Sequence, residues 1–281
     1  MKLDWLLYAA CITTLVVVTG KWSERSDAPP APPPPGIGEM SLFANFTPFS
    51  AASIINLPVD DQKIMRGTAF SVSQSGEWIM ARDSIAGCTH PFLNIGGNLG
   101  VPLKLQETPN ATTPAGVPAG VYVIAVTEGG ARPLPLADPE AVLPGVRGFM
   151  PGFPAGQVGE ATARLIGKTV IEGSKRFERN EPVLAWAQAG RTVGLKGDLN
   201  QLIGGPVIDD NSRVMGVVLR EKPRRGRIYT SIPQTVDALA NVPDRKADFE
   251  SEATITKRNY GIVSDTLRRE YRVAQVGCIK S

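Results

Sequence analysis

From Gly67 onward the chain alternates short apolar or β-branched runs with turns. Thr68–Val72, Trp78–Ala81 and Gly120–Val126 make a first series. Ala161–Ile166, Val183–Ala187, Pro206–Ile208, Arg213–Leu219 and Arg227–Thr230 make a second. Runs this short, bounded by Gly, Pro, Asn and Asp, predict strands, and their spacing predicts an all-β barrel or sandwich. Asp209-Asp210-Asn211-Ser212, between two runs, predicts a hairpin turn, because Asn and Asp tolerate left-handed backbone and bond their own main chain. A calcium loop does not fit there, since its glycine and distant glutamate are missing. The proline-rich stretch Arg132–Gly145 interrupts the pattern and is the natural seam between two halves. Beyond Pro243 the charged chain predicts a helix around Asp265–Tyr271 and then a strand-like piece, Val273–Ile279.

The amino terminus follows a different pattern. Trp5–Gly20 is an apolar run preceded by Lys2 and Asp4 and followed by Lys21. Its sixteen residues cover about 24 Å as a helix, against a hydrocarbon core of roughly 30 Å. Two readings stand. Trp5 and Trp22 at its ends, with Lys2 and Lys21 reaching outward, suit a membrane anchor. Val18-Thr19-Gly20 offers a small-residue cleavage site for a signal peptide. Ala28–Pro35 (APPAPPPP) then predicts a polyproline II spacer of about 25 Å. The expectation is therefore one membrane helix in residues 1–22 and a linker in 23–40. A first globular half follows in 41–138, a second in 139–243, and a tail in 244–281. The globular part would be periplasmic and single-pass anchored in the inner membrane, or secreted if the run is cut.

Composition narrows the functional classes. The 281 residues carry 29 Gly, 24 Pro and only 6% aromatics, which argues against a helical bundle. A net charge of +3 is too mild for a nucleic-acid partner. Three Cys and one His cannot build the usual zinc ligand sets, so neither metal nor cofactor is expected. Cys88 and Cys278 are the only exported cysteines. They either pair, closing a loop of about 190 residues, or stand as free thiols.

Two stretches together resemble the trypsin-like serine peptidases of bacterial exported type. Gly67-Thr68-Ala69-Phe70 leads to Trp78-Ile79-Met80-Ala81-Arg82-Asp83-Ser84-Ile85-Ala86-Gly87-Cys88, where that family carries its histidine; the matching position is Asp83. Gln201-Leu202-Ile203-Gly204-Gly205-Pro206-Val207 matches the nucleophile loop, with Ile203 in the serine position. Gly148–Pro154 and Arg227–Pro233 resemble two further strands of the family, so the resemblance spans about residues 41–242. It implies two six-stranded antiparallel β-barrels with a site between them. The family's acid falls at Val121 or Tyr122, and neither is a carboxylate.

These substitutions remove the chemistry of the route the resemblance implies. A serine peptidase needs a hydroxyl to attack, an imidazole to take its proton, a carboxylate to orient the imidazole, and two N–H groups for the oxyanion. Ile203 has no hydroxyl, and Gln201 replaces the glycine of the former oxyanion loop, Gln201–Gly205. Losing nucleophile or base alone costs about a millionfold in turnover in a well-studied case. The expectation is a degenerate member, a pseudoprotease that binds protein or an extended peptide. Its rivals are a hydrolase using Asp83, Ser84 or His90, and a structural envelope partner binding through its tail or barrel surface. Lys196 has no serine at Ile203 with which to form a dyad. The basic cluster Arg220–Arg227 reads as a solvated hairpin.

Overall fold

The strand-forming runs become strands where a β-branched or aromatic side chain can alternate between a core and an outer face. The computed structural model describes residues 11, 27–33, 47–58, 62–106, 121–172, 180–222, 225–240 and 254–280. Apart from Cys11, the apolar run Trp5–Gly20 lies outside them, as do the boundaries near residues 22 and 40. Among the described residues no helix is long and apolar enough to cross a membrane.

The first half contains β1 (Ile55–Asn56), β2 (Lys63–Ser71), β3 (Glu77–Ala81), β4 (His90–Gly96), β5 (Leu99–Pro102), β6 (Lys104–Gln106) and β7 (Tyr122–Val126). The second contains β8 (Arg147–Gly152), β9 (Gly159–Ile171), β10 (Glu181–Arg191), β11 (Pro206–Ile208), β12 (Val214–Lys222) and β13 (Arg227–Ser231). Helix α1 (Pro233–Ala240), helix α2 (Tyr260–Arg269) and strand β14 (Val273–Ile279) close the chain.

The second half is a closed six-stranded barrel in the order β10-β13-β12-β11-β8-β9, as the resemblance implies. Its interior is filled by Leu165, Leu184, Trp186, Val207, Met215 and their neighbours, all buried. The 209–212 turn joins β11 to β12: Asp209 accepts from the N–H groups of Asn211 and Arg213, and Ser212 turns with φ +60°.

The first half departs from the expected six strands. It is an eight-stranded sheet, β1-β5-β4-β14-β2-β3-β7-β6. The C-terminal strand β14 lies between β2 and β4, with Gly277 opposite both Met65 and Phe92. The tail thus supplies a central wall of the first half and is not a module apart from it. The continuous stretch 99–106 pairs with β4 through β5 and with β7 through β6. The sheet therefore curls back on itself through one piece of chain, around Ala69, Trp78, Met80, Leu93, Val123 and Val276.

Cys88 and Cys278 form a disulfide, with their Cα atoms 5.8 Å apart. It fastens β14 to the segment that follows β3. Helix α2 runs into β14 through Tyr271, whose φ of +56° turns the chain and whose hydroxyl donates to the Ile95 carbonyl.

The proline-rich segment is not wholly a free spacer. Ala28 forms a parallel bridge with Thr192: its N–H donates to Arg191 O at 3.2 Å, and its carbonyl accepts from Val193 N at 2.6 Å. Pairing stops there because the following prolines have no N–H to offer.

Candidate functional site

The two halves meet where the tip of the loop before β11 is drawn against β2 and the turn after β3. A short 3-10 turn, Arg82–Ile85, follows β3; another, Asn200–Leu202, precedes Ile203. The Ile203 carbonyl accepts from the Thr68 N–H at 3.0 Å and from the Ser84 hydroxyl at 3.2 Å. Thr68 Oγ1 donates to the Gln201 carbonyl at 2.8 Å and accepts from Phe153 N at 3.3 Å.

This packing leaves no room for side chains at two glycines. A Cβ on Gly67 would collide with Ser84 Oγ, and one on Gly204 would collide with the Thr68 carbonyl. Gly204 also holds φ at +90°, a conformation that glycine adopts freely.

The backbone donors of Leu202–Gly205 are committed to protein carbonyls. Leu202 N donates to Leu199 O, Ile203 N to Asn200 O at 3.2 Å, Gly204 N to Val218 O and Gly205 N to Leu202 O. Ile203 itself is 6% exposed. Gln201 Oε1 is buried without a hydrogen-bond partner, facing Gly156.

Each residue anticipated from sequence has a definite place. Asp83 is partly exposed on the 3-10 turn, and the next residue, Ser84, is the one set against Ile203. Asp83 and Ser84 thus share the turn, and the contact with Ile203 is made by Ser84. A 3-10 turn after Ala81 points neighbouring side chains in different directions, which a linear match does not resolve. His90 begins β4 opposite Ile279 and is exposed, whereas Ser84 is buried and turned to Ile203. The two are not brought together as a site.

Tyr122 opens β7 opposite Ala81 and is fully buried. Its hydroxyl donates to Glu181 Oε1 at 2.9 Å, so a carboxylate does reach this position, carried by β10 of the other half. Burial, and then the facing Glu181 charge, push the Tyr122 phenol well above its ordinary range. Burial pushes the Glu181 carboxyl up to about 7, with the Tyr122 hydrogen bond opposing. Sequence reasoning missed Glu181. The available signal was an acid at the head of the apolar run Pro182–Ala187.

Compared with solved structures, the chain is similar to the Rv3671c protease of M. tuberculosis in its active form. The TM-score is 0.50 at 18% identity, covering 82% of this chain and 95% of that one. The fold is that of the chymotrypsin-type proteases. The MamO protease domain from Magnetospirillum magneticum in its apo form gives a TM-score of 0.46 at 12% identity, covering 68% of this chain and 95% of that one. The HtrA-type protease AlgW with decapeptide gives 0.47 at 13% identity, covering 62% of this chain and 49% of that one. No protein-family model and no curated protein matches the chain.

Ile203, Ser84 and Thr68 meet between the two halves. Ile203 brings no nucleophilic atom, and the Ser84 hydroxyl is engaged by a backbone carbonyl. No cluster of three or more His, Cys, Asp or Glu suited to a metal occurs among the described residues. Among the described residues, β13 covers one side of Val218–Lys222, while the other side is paired by β11 over Val214–Val217 and by Gly204 and Gly205 at Val218, with no strand pairing beyond it.

Proposed function

We propose that this chain is a pseudoprotease of the cell envelope that works by binding protein or an extended peptide. The observation that carries the reading is the state of Ile203. In the register of the sequence resemblance it takes the nucleophile position, and its carbonyl is held by Thr68 and Ser84 and its N–H by Asn200. Acyl transfer needs a nucleophile and free N–H donors aimed at the oxyanion, and Ile203 supplies neither. Binding needs only a strand edge, and among the described residues no strand pairs the far side of Leu219–Lys222, where an extended segment can add. Anchorage by Trp5–Gly20 in the inner membrane, with the globular part in the periplasm, belongs to the same reading. The Cys88–Cys278 disulfide supports an oxidising compartment.

The test is crosslinking of the tagged full chain in its native envelope, with captured proteins identified by mass spectrometry. An Arg220→Glu, Lys222→Glu variant runs in parallel. A partner captured by the parent and lost from the variant supports strand addition at β12. Peptide hydrolysis by the purified chain that disappears on changing Asp83, Ser84 or His90 to Ala would sink the pseudoprotease reading in favour of an unconventional hydrolase.

A further inference from the structure

The seat of Ala28 fixes how the globular part stands relative to the apolar run. That run ends at Gly20, so only Lys21–Asp27 separates it from a residue bonded into the second barrel. Seven residues span at most about 25 Å when fully extended. The docking point precedes the prolines, so the polyproline stretch adds nothing to this distance.

The surface around Ala28 is unusual for one facing water. Val193, whose N–H bonds the Ala28 carbonyl, is 53% exposed. Ile262 is 66% exposed and follows Gly261, which sits against Ala28 and Pro29. Val158 is 42% exposed and precedes Gly159, which lies against Thr192, the bridge partner of Ala28. Exposed Lys196 lies in the same loop as Val193, and exposed Lys257 and Arg258 stand just before α2. The nearby acids are engaged in part: Asp27 accepts from Arg191 N, Asp198 from Asn200, and Asp265 from Arg269. A single exposed aliphatic residue is ordinary. Three of them beside the point where the chain runs toward Trp5–Gly20, with Lys196, Lys257 and Arg258 exposed on the neighbouring segments, match the chemistry of a bilayer interface.

We propose that this face rests on the membrane surface, with Val193 and Ile262 in the interfacial layer and Lys196, Lys257 and Arg258 against anionic lipid headgroups. The proposal rests on Trp5–Gly20 acting as an anchor. The second barrel then lies on the bilayer in a fixed orientation.

The experiment uses the full chain with Cys11→Ser and the Cys88–Cys278 disulfide left oxidised. One cysteine is added as Val193→Cys, Ile262→Cys or, for comparison, Leu105→Cys on β6, and labelled with an environment-sensitive fluorophore. The chain is reconstituted in vesicles of phosphatidylcholine alone or of equal parts phosphatidylcholine and phosphatidylglycerol, carrying a headgroup-level nitroxide quencher. The expected result is several-fold stronger quenching at 193 and 262 than at 105, greater in the anionic vesicles. Lys196→Glu with Lys257→Glu and Arg258→Glu should return it to the neutral-lipid level. Equal weak quenching at all three positions, in chains that float with the vesicles, overturns the proposed face and leaves the anchor standing. Failure to float overturns both. Shielding of 193 and 262 that tracks protein concentration and not lipid assigns the patch to a second copy and overturns the proposal.

Discussion

The Ser84 hydroxyl donates to the carbonyl of Ile203 at 3.2 Å, joining the turn after β3 to the loop before β11 across 119 residues of sequence. Both residues lie in the segments that carry the sequence resemblance, Trp78–Cys88 and Gln201–Val207. Their proximity holds the two halves together. Ser84→Ala should leave the Ile203 carbonyl with Thr68 as its remaining partner, lowering stability by about 1 kcal/mol in chemical denaturation. Ile203→Ser should not generate hydrolysis, because His90 is exposed at the start of β4 and supplies no base.

Gly204 tests how tightly that seam is closed. Its φ of +90° and the Thr68 carbonyl in the path of a Cβ make Gly204→Ala doubly unfavourable. A loss of about 3 kcal/mol or more is expected, read as a lower urea midpoint. Gly145→Ala, also at positive φ but with open space around the site, should cost less.

Reduction of Cys88–Cys278 should be felt by the whole first half. The bond closes 190 residues, and the chain-entropy account gives up to about 5 kcal/mol for a loop of that length. The Cys88→Ser, Cys278→Ser pair should unfold at a markedly lower temperature. Truncation before Val273 should be worse, since it removes the strand between β2 and β4.

Glu181 makes stability depend on pH. Its folded carboxyl titrates near 7, above the ordinary value of 4.5, so between these limits the native state holds a proton that the unfolded chain has lost. Its contribution is therefore full below about pH 4.5 and declines as pH rises through 7. Burial pushes Glu160, Asp209 and Glu221 the same way. Glu181→Gln, which can still accept from Tyr122, should flatten this decline without abolishing it. Urea midpoints at pH 5 and pH 8 for both proteins decide the matter.

Arg268 and Glu160 form a buried pair at 3.1 Å that clamps α2 to β9. Burial lowers the arginine and raises the glutamate from their ordinary values, in each case against the attraction between them. Arg268→Met alone should cost roughly 3–5 kcal/mol, because it strands a buried carboxylate. Adding Glu160→Gln should recover part of that loss, as a double-mutant cycle would show.

Local chemistry in the sequence is enough to place most strands. The alternating runs that became β2, β3, β7, β12 and β13, the Asp209–Ser212 turn and the piece Val273–Ile279 each follow from spacing and side-chain type, which act over a few residues. The framing motifs Gly67–Phe70 and Gly204–Pro206 carry the family resemblance that implies a double barrel, and their glycines stand where neighbouring backbone and side chains leave no room for a Cβ. Which segments meet is a different matter. Nothing within Val273–Ile279 says that it enters the first sheet between β2 and β4, nothing near Tyr122 names Glu181, and nothing in Ala28 names Thr192. These pairings depend on packing between segments some 60 to 210 residues apart. The sequence match singled out Asp83; that its neighbour Ser84 bonds the Ile203 carbonyl follows from the 3-10 turn after β3, a contact across 119 residues that only the tertiary structure decides.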